Sequence, residues 1–326
     1  MNAIVDPVFH PFGVSAADLA RQILGLVFKL RRIHPEDLTA TEDLDAEMAP
    51  HLPKIQAAVT RRQPLQMILP AFPGKSPNRN KTLGAMPDLA ERHAMDNLHQ
   101  LCRDIQSIYP PGAQVAICSD GYCFSDVVYI PDAEVAAYMD DLIRYARQRH
   151  GDSFRFYDLK DHFSYIGDLD SQREELLILY SDSIEQIKRQ CQDEPAMRAM
   201  YQGITRFLFE DAQGMERFAG HSKTSLQKMA RANAYRVIQR SNAWSRLLER
   251  AFPDSLRLSI HPQFRVSSKI GVRLVDSVDA WLTPWHAAAI KHEHGVMLKK
   301  RSDIDENQSA LVFVDGRPSH FIATAA

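Results

Sequence analysis

The sequence predicts an α/β protein: a Rossmann-like parallel sheet core with covering helices, a helical middle section and a C-terminal antiparallel β extension. Three observations carry this. Apolar runs and helical periods alternate as strand, helix, strand, helix, strand between residues 64 and 159, the pattern of a parallel sheet with crossover helices. Helical periodicity then dominates from about 171 to 251. The last third changes to short strands, with a hairpin signal at Val314-Asp315-Gly316-Arg317.

In chain order, residues 18–32 place Leu19, Ile23, Leu24, Val27, Phe28 and Leu30 at helical spacing, and a second helical stretch follows at 43–61. The run PLQMILP (64–70) is short, apolar and bounded by prolines, so it reads as a strand. Residues 71–87 hold Pro, Gly, Ser and Asn with Lys75, Arg79 and Lys81, a basic loop. A helix to about Ile108 puts Leu89, Met95, Leu98, Leu101 and Ile105 inward, and Tyr109-Pro110-Pro111-Gly112 stops it. AQVAIC (113–118) is a strand closed by the turn Ser119-Asp120-Gly121; 132–149 is a helix and 154–159 a third strand. Helices are expected at 171–190, 194–210 and 222–251, then strands at 256–260, 270–275, 287–291, 310–314 and 320–323. No long polar linker interrupts the chain. The expectation is one domain over 1–326, with its core at about 62–160, its helical section at 171–251 and its β-rich section at 255–323.

At 326 residues the chain can bury about three quarters of its unfolded surface without disulfides or a structural metal. Apolar residues at 45% and charged residues at 25% exclude a disordered, collagenous or coiled-coil chain. A formal net charge of −2 leaves no global basic field for nucleic acid. Residues 1–14 have no basic segment followed by an apolar core, so no signal peptide is read there, and no run is long enough to span a bilayer. The four cysteines, 102, 118, 123 and 191, form no CxxC pair and fit reduced thiols in a cytoplasmic protein.

Four constellations can carry chemistry, each beside a plainer reading. The basic loop follows a strand's C-terminal end, where ligands of open α/β sheets sit, and Lys75, Ser76, Asn78, Arg79 and Lys81 suit a phosphate; the plain alternative is a solvated loop. It lacks the Walker spacing. Asp120 at the next strand end is a candidate base or hydroxyl ligand, or simply a turn residue. Arg240 beside Trp244 is an anion clamp or a surface arginine over a core tryptophan. Alternation along 257–263 puts Arg257, Ser259 and His261 on one face, and Trp281, Trp285 and His286 follow, which suits proton transfer next to an aromatic group. The plain reading is a polar outer sheet face over core tryptophans. In His292-Glu293-His294 the two histidines share a face only on a strand, HExxH and zinc spacings are missing, and no metal site is expected.

LPAFPGKSPN (69–78), PGAQVAICSDGYCFSD (111–126), RSNAWSRLL (240–248), RLSIHPQ (257–263) and TPWH (283–286), in that order, resemble the isonitrile (isocyanide) synthases of the pyoverdine/dityrosine biosynthesis family. Gly74 and Tyr122-Cys123 depart from the family pattern, and the latter pair is expected to bear on substrate preference. The resemblance implies conversion of the α-amine of an aromatic amino acid, L-tyrosine favoured over L-tryptophan, to an isonitrile. The carbon would come from C2 of ribulose-5-phosphate, with no cofactor, and an Fe(II)/2-oxoglutarate oxygenase would be the pathway partner. Under that reading Lys75, Arg79 and Lys81 with Arg240 and Ser241 form the anion site. Asp120, His261 and His286 are the acid/base set, Arg257 or Lys269 holds a carboxylate or second anion, and Trp285 and Phe124 flank the aromatic ring. A Schiff base on Lys75 is an alternative role. The competing functions are another phosphate-sugar or nucleotide-dependent transferase, or a non-catalytic binding protein.

Overall fold

A computed structural model describes residues 15–323; the absence of a signal peptide, read from residues 1–14, lies outside the described residues. The first helix, α1 (Ala16–Phe28), begins where Ser15 Oγ accepts the Asp18 N–H at 3.1 Å, and it buries Leu19, Ile23, Leu24 and Val27. It ends four residues before the expected Arg32. Arg31 and Ile33 instead bridge to Val272 and Gln263. The expected 43–61 helix is two, α2 (Leu44–Met48) and α3 (Leu52–Arg61), because Pro53 sits in the first turn of the second and cannot continue the first.

The core sheet comes next. Strand β1 (Leu65–Pro70) leads through α4 (Leu89–Ile108) to β2 (Ala113–Cys118). Then α5 (Gly121–Phe124) and α6 (Asp132–Arg149) lead to β3 (Phe154–Tyr157). Both faces of β1 and β2 are covered by helices, which is why these strands read as continuous apolar runs rather than alternating ones.

The helical section is one long crossover from β3 back to the sheet. It comprises α7 (Leu159–His162), α8 (Leu169–Tyr180), α9 (Ile184–Asp193), α10 (Pro195–Gln213) and α11 (Lys223–Ala251). The expected 171–190 helix breaks at Ser183, whose hydroxyl caps α9 in a capping box closed by Gln186.

The chain re-enters the core sheet as β4 (Leu256–Ser259) and β5 (Ile270–Gly271), giving the all-parallel order β3-β2-β1-β4-β5. These two strands therefore belong to the core and not to the C-terminal extension in which the sequence placed them. The order reverses direction between β1 and β4, and such a switch point is where ligands of open α/β sheets bind.

A second sheet follows: β6 (Asp276–Ser277), β7 (Ala288–His292), β8 (Gly295–Lys299), β9 (Ser309–Val314) and β10 (Arg317–Ala323), in the order β6-β8-β7-β10-β9. The hairpins β7–β8 and β9–β10 are antiparallel as expected, but β6 pairs β8 and β7 pairs β10 in parallel, so this sheet is mixed. A hairpin is a local feature legible in sequence; which strands of two hairpins meet is decided by packing. His292-Glu293-His294 forms the tip of β7–β8, where Gly295 takes φ +138°. Among the described residues no helix is long and apolar enough to cross a membrane, and the four cysteines are buried and unbridged.

Candidate active site

The loop from β1 to α4 is the hub of the strand-end region. Phe72 is held at φ 59°, a costly conformation for a bulky residue, by packing against Trp285 (ring centroids 5.2 Å) and by Ser119 Oγ donating to its carbonyl at 3.0 Å. Ser76 N donates to Trp285 O at 2.8 Å, which ties this loop to the turn carrying His286. Across the loop, a Cβ on Gly121 would lie 2.3 Å from Pro73 O, so only glycine lets β2's turn approach this closely.

Most of the expected anion ligands are already committed to carboxylates. Lys75 is completely buried, its Nζ 2.8 Å from Asp88 and 3.0 Å from Glu91, and it donates to Pro284 O at 3.0 Å. Burial alone would lower its pKa, but the two carboxylates overcome that and raise it, so the ammonium stays charged. This opposes a Schiff base, which needs the free amine. Lys81 pairs with Asp211 at 2.6 Å and lies 4.7 Å from the Phe207 ring centre. Ser76 Oγ donates to the other oxygen of Asp211 at 3.0 Å, and Asn78 Nδ2 donates to Glu210 O at 3.1 Å. Arg240 makes a two-pronged pair with Asp126 and donates to Cys123 O at 2.8 Å, fastening α11 to the SDGYCFSD segment. Ser241 and Arg79 are exposed, and Arg79 donates to Thr82 Oγ1 at 3.1 Å. The buried ammonium groups of the loop are thus neutralised by carboxylates from outside it, because each requires a partner.

A different pair of cations converges instead. Arg257 donates to Ser245 Oγ at 2.9 Å and Lys269 donates to the same oxygen at 3.2 Å. Arg257 also pairs with the largely exposed Glu249 at 2.6 Å. Lys269 has no carboxylate within ion-pair distance among the described residues, and burial, then Arg257, lowers its pKa. Arg32 is likewise without a carboxylate partner among the described residues; its Nη1 donates to Ala280 O at 2.7 Å and Ile260 O at 3.3 Å.

The expected acid/base residues stand at successive strand ends. Asp120 follows β2 and His261 follows β4, two strand spacings apart, about 10 Å. His286 is held over β1 by the contacts of Lys75 and Ser76. One oxygen of Asp120 is buried without a hydrogen-bond partner, and burial pushes its carboxyl up to about 7. Burial, then Arg32 and Lys269, lowers His261 to about 4. Burial, then Lys81 and His261, lowers His286 to about 3. His261 nonetheless keeps an exposed side, open to solvent. His286 Nδ1 lies 3.0 Å from Thr283 Oγ1. At neutral pH the arrangement offers two uncharged imidazoles and one carboxyl that can both give and take a proton.

Trp285 is 1% exposed and belongs to the core, and Phe124 is half-buried against it. Cys123 and Tyr122 are also buried. The exposed tryptophan is Trp281, at 52%. Sequence reasoning missed its placement, together with those of Arg32, His34, Phe264 and Ser245. The signal for Ser245 lay within RSNAWSRLL; for Arg32 and His34 the helical spacing that runs on through Leu30 left none.

Residues 55–312 match the family model described as "Pyoverdine/dityrosine biosynthesis protein". The chain is 40% identical over 307 residues to an L-tryptophan isonitrile synthase of Fischerella ambigua, covering 94% of this chain and 92% of that one. It is 38% identical over 309 residues to an L-tyrosine isonitrile synthase of Xenorhabdus nematophila, with the same shares covered. The crystal structure of the PvcA protein from Pseudomonas aeruginosa superposes with a TM-score of 0.85 at 37% identity, over 93% of this chain and 99% of that chain.

Proposed function

The chain belongs to the pyoverdine/dityrosine biosynthesis family as an isonitrile synthase, and from that premise we propose that it converts the α-amine of an aromatic L-amino acid to an isonitrile, taking the carbon from C2 of ribulose-5-phosphate. The observation that supports this reading best is the meeting, over the strand ends, of proton-transfer groups with cations that lack carboxylate partners. Condensing an amine with a phosphorylated ketose needs both.

In this reading Asp120 takes a proton from the incoming ammonium, and the free amine forms the C–N bond to C2. The carbonyl π electrons move to oxygen, which a neutral histidine hydrogen-bonds as charge develops. Loss of water then gives the imine, and later steps shed the rest of the sugar. The phosphate sits with Lys269, Arg257 and Ser245, remote from the reacting carbon, so its binding energy orients the ketose. This replaces the Lys75, Lys81 and Arg240 assignment, whose cations are paired with buried or part-buried carboxylates, whereas Arg257 shares only the largely exposed Glu249 and Lys269 has no carboxylate partner among the described residues. We place the enzyme in the cytoplasm, without a cofactor, with its product consumed by an Fe(II)/2-oxoglutarate oxygenase.

The test is a mass-spectrometric assay of purified protein with ribulose-5-phosphate labelled at C2, run with L-tyrosine and L-tryptophan in parallel because the relatives' names divide between them. An isonitrile carrying one labelled carbon is expected, tyrosine being favoured. A folded protein that turns over neither substrate refutes the reading. Lys269→Ala should raise the KM for ribulose-5-phosphate about tenfold and leave that for the amino acid unchanged, since a charge-assisted hydrogen bond is worth about 1.5–3 kcal/mol. Equal effects would remove the phosphate from this site.

A further inference from the structure

We propose that Trp281, with His34 and Phe264, forms the wall that receives the side-chain ring of the amino acid, and that Arg32 receives its carboxylate. This rests on the function proposed above and deepens it. Three aromatic side chains from distant parts of the chain meet beside His261. Phe264 stacks on His34 at 4.5 Å and 18° between planes. Trp281 packs edge-on to His34 at 5.9 Å and lies 6.0 Å from His261. Trp281 and Phe264 are each about half exposed, 52% and 51%. Large apolar rings left open to water next to a site with reactive groups mark a place where a ligand completes the packing.

The position of the wall is set by hydrogen bonds. His34 N donates to Gln263 O at 2.8 Å, which fixes the His34–Phe264 stack. Arg32 Nη1 donates to Ala280 O at 2.7 Å, immediately before Trp281, so the guanidinium is fastened to the backbone that carries the indole. With no carboxylate partner among the described residues, Arg32 retains N–H groups for a ligand carboxylate. An α-amino acid whose carboxylate meets Arg32 and whose ring lies on Trp281 presents its amine to the strand-end groups, with His261, close enough to feel the Arg32 charge, beside it and Asp120 toward β2. The ring is the occupant the chemistry favours: stacking between aromatic groups adds to area burial, and the surrounding polar groups fit the other end of an amino acid.

Trp281 is also a built-in reporter, since Trp244 and Trp285 are buried at 2% and 1%. Titrating the protein with L-tyrosine alone, exciting at a wavelength that tyrosine does not absorb, should change the tryptophan emission, and Trp281→Phe should abolish the change. Trp281→Ala should raise the KM for L-tyrosine about tenfold or more while that for ribulose-5-phosphate stays within about twofold; Trp281→Phe should restore most of the affinity. Phe264→Ala serves as the second variant should Trp281→Ala fail to fold, with a smaller rise of the same selectivity. An unchanged KM for tyrosine in these variants, or equal rises for both substrates, overturns the proposal. The binding titration needs no turnover, so a wild-type protein that binds tyrosine at Trp281 but makes no isonitrile refutes the function and not the subsite.

Discussion

Replacing Asp120 by asparagine separates the cost of a buried carboxyl from its use. Its pKa rises from the ordinary 3.8 to about 7 because burial penalises the charged form. The sign follows: between those values the folded protein holds a proton that the unfolded chain has released. Stability contributed by the neutral form is complete below pH 3.8 and is lost as pH rises through 7. Above pH 7 the folded protein carries a poorly solvated carboxylate. At about 1.4 kcal/mol per pH unit the penalty has a ceiling of about 4 kcal/mol. Asp120 is part-exposed, so water screens this to about 1–2 kcal/mol. Asparagine keeps the shape and never ionises. Urea unfolding at pH 5 and pH 8 should therefore show the variant more stable than the parent at pH 8, with the gap shrinking toward pH 5, while turnover falls by about 10² or more. A stability difference that does not change with pH would mean that Asp120 ionises normally, and the general-base argument would fall with it.

Two further substitutions test the supports of the site. Lys75→Met leaves Asp88 and Glu91 buried side by side without their cation, and should cost about 3–5 kcal/mol in denaturant unfolding, with part recovered by adding Glu91→Gln; a fully stable but inactive variant would instead favour covalent chemistry at this lysine. Gly121→Ala pushes a methyl to 2.3 Å from Pro73 O and 2.7 Å from Val135 Cγ1, and should lower stability by about 1–3 kcal/mol and shift Asp120. Unaltered melting and turnover would show that the turn has room the structure denies it.

The parts legible in the sequence are those set by neighbours along the chain. Residues 113–118 and 132–149 match β2 and α6, and the long helix of α11 differs from its expected span by one residue at the start. Period-3.6 and period-2 burial are local signals, and the turn Val314–Arg317 specifies its own hairpin. The blocks from LPAFPGKSPN to TPWH, in that order, are likewise legible along the chain, and the family match agrees. Even the break before α9 is written locally, in Ser183 and Gln186, within the single helix that the periodicity predicts over 171–190.

What only the tertiary structure decided is which charges are free and which rings are open. Lys75, Lys81 and Arg240 look in sequence like an anion site, but their counter-ions lie on other elements: Asp88 capping α4 and Glu91 within it, Asp211 on α10 and Asp126 after α5. Likewise Trp281 and Trp285 sit four residues apart, and one is a core residue while the other faces water. A sequence displays its charged and aromatic groups without their partners. Solvation, and with it pKa and availability for a ligand, is set by neighbours that only folding brings within a few ångströms.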